Sequence, residues 1–324
     1  MASEDDNALL RPTKLPIELI DRIIGFLKEC TEGEQGYRGS VDACSLVCWA
    51  WNELCRPRIF SVLAMRMGSD ETKPKVSFLR FTAPHLCKYI KELTILFEPD
   101  FCSELEDWVA DVLPQSVNVR CLCILDTARS AVPKLLALGL PALLADAPIQ
   151  QIHACNLHFT TNDFYRLLSP FSSTLQDLFL WECTVSNGST TATPTHSEGP
   201  QITCLAALRK LQIKPPTNAV PRLPSKSLEV PRLSSLLCIY GEHFYDLSQW
   251  NIANVSELTL RVRQNSDLLR FSPSLQPSAL MIIIRQAEQQ WVYTPVIRWI
   301  GNLLSRFSRL DDLVDLKISI GNAE

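Results

Sequence analysis

The sequence predicts an α/β protein in which a short helical segment precedes a long parallel β-sheet. Two patterns indicate this fold: an apolar stripe with helical spacing near the N-terminus, and a six-residue apolar word that recurs along the remaining chain. Each apolar word predicts a strand, and the stretches between the words have helix-like patterns. A regular alternation of strands and helices is typical of a parallel sheet. The 324 residues, of which 46% are apolar, give room for one large or two ordinary domains.

The first predicted helix begins at Leu15-Pro16, because proline is well tolerated where a backbone amide lacks a helical partner. Its apolar residues recur at steps of three and four residues, so they should form one continuous stripe. The residues of this stripe are Leu19, Ile20, Ile23, Ile24 and Leu27.

A second helix is predicted after a Gly-rich gap, 31–39, with Ser40 as its N-cap, and a third short helix at Arg56-Pro57. The second helix is apolar nearly all round, and three small helices cannot bury two apolar faces among themselves. The surplus surface indicates a partner protein or the rest of the chain as its cover. One face carries Val41, Cys44, Val47, Trp51 and Leu54, and the other Ala43, Leu46 and Ala50.

Two words in this segment resemble the F-box family. Leu15-Pro16-Ile17-Glu18-Leu19 is similar to the opening of an F-box, and LVCWAW at 46–51 is similar to its second helix. The longer word at 43–51 is especially similar to F-box proteins of mushroom-forming (basidiomycete) fungi. Without these words, the periodicity would favour a helical cap on a larger core.

The resemblance implies docking to the Skp-type adaptor of an SCF (Skp–cullin–F-box) ubiquitin ligase and, through the adaptor, to a cullin complex. It covers about one seventh of the chain. The residues that it implies for adaptor binding or for the F-box core are Leu15, Pro16, Leu19, Ile20, Ile23, Leu46, Val47, Cys48 and Trp51.

The recurring word has apolar residues at its first, fourth and sixth positions. The best copy, LQDLFLWECTV at 175–185, resembles a leucine-rich repeat, with Cys183 at the Asn/Cys position. We therefore expect an irregular leucine-rich-repeat-like α/β solenoid with a parallel sheet, although a non-repetitive α/β fold is the alternative. The middle apolar residues are Leu93, Leu122, Ile152, Leu178, Leu211, Leu236, Leu258, Leu280 and Leu316, spaced by 29, 30, 26, 33, 25, 22, 22 and 36 residues.

The expected domain organisation follows from these patterns and from composition. It comprises a disordered N-terminus at 1–11, the F-box at 12–65, a linker at 66–88 and the solenoid at 89–324. The polar stretch 186–204 and the Pro-rich stretch 214–232 are expected to be flexible loops within the solenoid. Helices between the words are predicted at 104–113, 132–144, 161–168 and 284–307.

Target-binding candidates are the apolar residues that strand alternation points away from the core. The best copy places Phe179 and Trp181 there, where a solvated face needs no aromatic side chain. The alternative is that the Pro-rich segment or the C-terminal helix covers these side chains and makes them core. The candidate set is Phe179, Trp181, Leu237, Ile239, Met281 and Ile283.

Composition and motifs exclude several classes of function. A net charge of −4 argues against nucleic-acid binding, and neither a signal sequence nor a membrane span is evident. The twelve cysteines include no C-x-x-C pair, so we interpret them as reduced, buried residues of a cytoplasmic or nuclear protein. Cys121 and Cys123 belong to one strand-like run, and the closest histidines, His153 and His158, have no acidic residue between them. We therefore expect neither a metal ion nor a cofactor.

The sequence contains no catalytic motif, and no catalytic residue is predicted. The expected function is that of a non-catalytic substrate receptor in an SCF-type ubiquitin ligase, with the F-box on the adaptor and the solenoid on an unknown target protein. The alternative is a non-catalytic scaffold or interaction protein outside a ubiquitin ligase. An enzyme with an unrecognised site is a more distant reading.

Overall fold

The protein is an α/β structure with N-terminal helices and a long parallel sheet. The chain divides into two compact units, residues 1–62 and 63–324. The computed structural model describes residues 15–30, 33–67, 69, 72–97, 112–127, 139–186, 204–214, 229–239, 252, 254–263, 275, 277–286, 293–305, 307 and 312–322.

In the first unit the structure describes three helices: α1 (Ile17–Cys30), α2 (Gly33–Ser45) and α3 (Trp49–Ile59). Each helix contributes to a small core in which the most buried residues are Ile20, Ile24, Val41 and Cys55. Further apolar side chains pack partly buried around these four, namely Leu27, Tyr37, Cys44, Trp51, Leu54 and Ile59.

Helix α1 begins where its proline predicts. The carbonyl of Pro16 accepts hydrogen bonds from the amides of Leu19 at 3.0 Å and Ile20 at 3.2 Å, so Pro16 is the residue on which the helix starts. The apolar stripe is divided, however, because Ile20 and Ile24 are buried whereas Leu19 and Ile23 are exposed. A single small core can cover only part of a stripe that wide.

The second and third helices differ from the prediction. Most of the Gly-rich gap is helical, since α2 begins at Gly33, where a φ of +78° suits glycine. Ser40 is therefore inside α2, where its hydroxyl donates to the carbonyl of Gly36 at 3.0 Å, and it is not an N-cap.

The predicted second helix is interrupted between Ser45 and Trp49, where Cys48 adopts an extended backbone. The break places Leu46 and Val47 between α2 and α3, so Val47 does not share a helical face with Trp51. Arg56-Pro57 lies near the end of α3 and begins no new helix.

The second unit contains a ten-stranded sheet in the order β1-β2-β3-β4-β6-β8-β9-β10-β11-β12. From β2 to β12 every neighbouring pair of strands is parallel. The strands of this sheet are β1 (Val62–Met67), β2 (Glu92–Phe97), β3 (Cys121–Asp126), β4 (Gln151–Cys155), β6 (Asp177–Trp181), β8 (Lys210–Lys214), β9 (Ser235–Ile239), β10 (Glu257–Arg263), β11 (Ala279–Gln286) and β12 (Asp315–Asn322).

Each of the nine apolar words begins two residues before a strand of this sheet and has its middle and last apolar residues on that strand, one word for each strand except β1. Their middle and last apolar residues are buried in eight strands, which makes the inward side of the sheet a continuous core. The exception is the terminal strand β12, where Leu316 and Ile318 are exposed. The repeated word therefore predicts strand positions and the buried side, whereas it does not predict how the sheet ends.

A ladder of serine hydroxyls joins consecutive strands at one equivalent position. Ser234, Ser256 and Ser278 immediately precede β9, β10 and β11. The Ser234 hydroxyl donates to the carbonyl of Arg209 at 3.2 Å, and Ser256 and Ser278 donate to the preceding serine's carbonyl at 3.1 and 3.2 Å. Each strand is thus held to its predecessor by the same side-chain contact.

The described residues of the second unit include the helices α4 (Thr72–Ser77), α5 (Leu140–Leu143), α6 (Thr161–Leu168) and α7 (Tyr293–Leu304). Helix α6 has the predicted bounds and begins with a capping box, in which Thr160 and Asp163 each bond the other's backbone amide. It follows β5 (His158–Thr160), which pairs in parallel with β7 (Thr184–Ser186) in a separate two-stranded sheet.

Two segments differ from the expected organisation. The expected linker 66–88 contains the end of β1, helix α4 and further short helical turns at Phe78–Thr82 and Pro84–Tyr89. Ile284 belongs to strand β11, so the long C-terminal helix predicted from this residue is wrong there, and α7 begins at Tyr293.

The N-terminus at 1–11 lies outside the described residues, as do the predicted helix 104–113 for most of its length and the start of 132–144. Both expected loops are also largely outside them, although Cys204 and Glu229 form a parallel bridge. Among the described residues, none of the helices is both long and apolar enough to cross a membrane.

Candidate functional site

The three-helix unit exposes a set of large apolar side chains beside its own core. On α1 they recur at steps of four and three residues, at Leu19, Ile23 and Phe26, and side chains with this spacing share one side of a helix. Leu15, which is also exposed, lies two residues before the helix begins. We call these four residues the α1 stripe. A second exposed group lies at the connection of α2 and α3 and consists of Leu46, Val47 and Trp49.

The residues implied by the F-box resemblance fall into two structural groups. Ile20 and Trp51 pack in or against the core of the three-helix unit, so their side chains support its fold. The other members are exposed: Leu15, Pro16, Leu19, Ile23, Leu46, Val47 and Cys48.

Three further exposed apolar residues escaped the sequence analysis, namely Ile17, Phe26 and Trp49. Phe26 could have been found, because it continues the spacing from Leu19 and Ile23. Trp49 could not, because the uninterrupted second helix that we predicted obscured its place at the start of α3.

The outward face of the sheet carries the target-binding candidates. The outward face is the set of side chains that alternate with the buried ones, three for each word. The register of the strands aligns these side chains in rows across the sheet. Trp181 and Met281 are exposed there, at 47% and 37% of their surface. Phe179, Leu237, Ile239 and Ile283 are half-buried, and none of the six candidates belongs to the core.

Cationic side chains surround the two aromatic residues of β6. The ammonium group of Lys214 lies 4.4 Å from the centre of the Trp181 ring, and that of Lys210 lies 5.8 Å from the Phe179 ring. Lys214 also forms an ion pair with Glu182 at 2.8 Å, and Glu182 has an unusual positive φ of 56°. This arrangement holds two basic groups against the most aromatic part of the outward face.

The target-binding candidates do not form one continuous apolar surface along the outward face. Between the aromatics of β6 and the apolar pair of β9 lies β8, which presents Gln212 and Lys214. Likewise β10, with Thr259 and Arg261, separates β9 from β11. The candidates therefore form separate apolar patches, divided by strands whose outward side chains are polar.

A cluster of metal-ligand type was missed by the sequence analysis. Glu92 on β2 and Cys121 and Cys123 on β3 bring one carboxylate oxygen and two sulfur atoms within 4.8 Å of one another. All three residues are half-buried on the outward face. The interpretation of the cysteines as buried is correct for Cys55, Cys87, Cys183 and Cys238. It is wrong for Cys30 and Cys48, which are exposed, and the two cysteines of this cluster are only half-buried.

The two thiols of this cluster are coupled. Their sulfur atoms lie 3.8 Å apart and share a hydrogen bond. That bond lowers the pKa of Cys123, while the same bond together with burial raises the pKa of Cys121. On the neighbouring strand, burial lowers the pKa of His153, although the Asp177 carboxylate opposes this effect.

Neither a protein-family model nor a curated protein sequence significantly matches this chain. The resemblance to F-box proteins and to leucine-rich repeats therefore depends on the sequence words quoted above. The partners, and the expected lack of catalysis, stay predictions.

Proposed function

We propose that the chain is a non-catalytic substrate receptor of an SCF-type ubiquitin ligase. In this proposal the three-helix unit is an F-box that docks a Skp-type adaptor, and the outward face of the sheet binds the target protein. The observation that carries the proposal is the α1 stripe, an exposed apolar surface on a unit that already has a core of its own.

The α1 stripe is a suitable docking surface because folding of the unit does not require its burial. Exposed apolar patches rimmed by polar residues usually mark protein interfaces. On α1 the rim consists of exposed charged residues, Glu18, Asp21 and Arg22. Trp49 adds a residue type that is enriched among the side chains with the largest contributions to binding.

The second unit supports the role of a target-binding region. Its strands follow one another across the sheet in chain order, nearly all of them carry the same apolar word, and the serine ladder repeats between them. These features favour an irregular leucine-rich-repeat-like solenoid. Such architectures use a broad outward strand face for binding, and here Phe179 and Trp181 are the proposed centre.

The proposed target would meet aromatic and basic groups together at this centre. Lys210 and Lys214 lie beside the two rings, so a segment with apolar and acidic side chains is the complementary partner. The transfer of ubiquitin is then catalysed by the partners, and the receptor contributes by holding the target near them.

Co-precipitation of a Skp-type adaptor with the full-length protein tests the proposal. Leu15→Ala with Pro16→Ala should abolish capture, because a few buried interface residues contribute about 2 kcal/mol or more each. The matched control is Arg38→Ala with Asp42→Ala, which removes two exposed charged residues of α2 outside the proposed docking surface and should retain capture. Circular dichroism should be the same for both variants.

Two results would contradict the proposal. If the unaltered protein does not capture the adaptor, docking is wrong, and a non-catalytic scaffold outside a ubiquitin ligase becomes the better description. If the Leu15 and Pro16 double variant captures the adaptor as well as the unaltered protein does, the assignment of the docking surface is wrong.

A further inference from the structure

The strongest unassigned feature of the molecule is the cluster of Glu92, Cys121 and Cys123 on the outward face. Cys121 and Cys123 are two residues apart on β3, so both side chains point to the same side of the sheet. Glu92 is the register partner of Cys121 on the adjacent strand β2. Strand pairing therefore fixes all three ligand-type groups next to one another before any ligand binds.

The distance between the two sulfur atoms suits a shared metal ion. At 3.8 Å it is far longer than the approximately 2.05 Å of a disulfide. Two thiolates bound to one tetrahedral zinc ion at about 2.3 Å each lie about 3.8 Å apart. The thiols are thus already at the spacing that zinc requires, with the Glu92 oxygen within 4.8 Å of both.

A fourth ligand-type group lies on the next strand. His153 on β4 is the register partner of Cys123, and its Nε2 atom is buried without a hydrogen-bond partner. A buried polar atom in this state requires an explanation, and a bound ion is one of the explanations that apply to such atoms. Adjacent strands are only about 4.8 Å apart, so His153 lies beside Cys123. Its ring now packs 4.1 Å from the ring of Phe179 on the opposite neighbouring strand, so metal binding requires the imidazole to turn towards the sulfur atoms.

We propose that Glu92, Cys121 and Cys123 form a zinc-binding site on the outward face, with His153 as the fourth ligand. Thiolate and imidazole ligands select zinc over magnesium and calcium, which prefer sites made of oxygen atoms. Four protein ligands leave no open position, so the site is structural. It cross-links β2, β3 and β4, and binding releases the two thiol protons.

The test is a titration of the reduced, metal-free, full-length protein with Co²⁺, which reports tetrahedral thiolate sites by absorption. One equivalent should produce thiolate-to-cobalt charge-transfer absorption, and Zn²⁺ should displace it. Cys121→Ser with Cys123→Ser should abolish this signal. The matched control, Cys30→Ser with Cys48→Ser, removes two exposed cysteines elsewhere and should leave the signal unchanged.

Two single variants keep the test decisive if the double cysteine variant does not fold. Glu92→Gln and His153→Asn leave both thiols in place, and each should weaken cobalt binding at least tenfold. The proposal is overturned if the unaltered protein gives no one-to-one signal. It is also overturned if the signal survives loss of both cysteines, or if the two single variants bind cobalt as tightly as the unaltered protein. None of these outcomes depends on adaptor docking.

Discussion

Ile23 and Ile24 offer a matched pair that separates docking from folding. They are adjacent residues of the same type in the middle of α1, so replacement by alanine changes helix propensity equally in both. Their environments differ, since Ile23 is 41% exposed and Ile24 is 0% exposed. Any difference between the two alanine variants therefore measures burial.

The expected magnitudes follow from these exposures. Truncation of a fully buried isoleucine costs about 2–5 kcal/mol, so Ile24→Ala should destabilise the helical unit by at least 2 kcal/mol. Full burial of such a side chain is worth roughly 1.5–3 kcal/mol, and Ile23 obtains only part of it, so Ile23→Ala should cost about 1 kcal/mol. A unit of this size has a stability of only about 3–9 kcal/mol.

Amide hydrogen exchange of α1, α2 and α3 in the full-length protein measures this difference. Exchange should accelerate strongly in Ile24→Ala and only slightly in Ile23→Ala, whereas adaptor capture should weaken about fivefold or more in Ile23→Ala. Equal acceleration in both variants would refute the reasoning, because it would mean that the α1 stripe is needed for folding of the unit.

Two further predictions concern the second unit. Phe179→Ser with Trp181→Ser should abolish target capture. The double variant should lower the melting temperature less than Leu178→Ala does, because Leu178 is fully buried on the same strand. A larger loss of stability in the double variant would mean that the two aromatic residues belong to the core. Burial raises the pKa of Cys183 to about 12. At pH 8 a maleimide should therefore label the exposed Cys48 quickly and should label Cys183 only after unfolding. Rapid labelling of Cys183 in the folded protein would contradict its burial.

The sequence was sufficient to predict features that depend on local periodicity. The start of α1 at Pro16, the bounds of α6 and the strand position of every apolar word depend on residues close in sequence, and the structure agrees with each. The end of a helix is less predictable, because it depends on competition between weak preferences. One example is the break at 46–48, where we predicted a continuous helix. Another is Ile284, where we predicted the start of a helix and the structure has a strand, because a short apolar stretch suits both.

The candidate sites were harder to predict because they depend on contacts between strands. The word around Cys121 and Cys123 does not by itself indicate Glu92, 29 residues before Cys121, because the two become neighbours only when the words of β2 and β3 are aligned in parallel register. The same applies to Lys214 over the ring of Trp181, which lies 33 residues earlier. Only the pairing of β2 with β3 and of β6 with β8 brings these groups together, and that pairing is a property of the whole sheet.

The order of the strands has a consequence for how this protein could change in length. Among the described strands β1 and β12 are the two ends of the sheet, and from β8 to β12 each strand follows its sequence predecessor. Duplication or deletion of one strand with its connection would therefore preserve every other pairing, which a closed barrel would not permit. Such a change would add or remove three outward side chains, so the binding face could be extended while the fold stays the same.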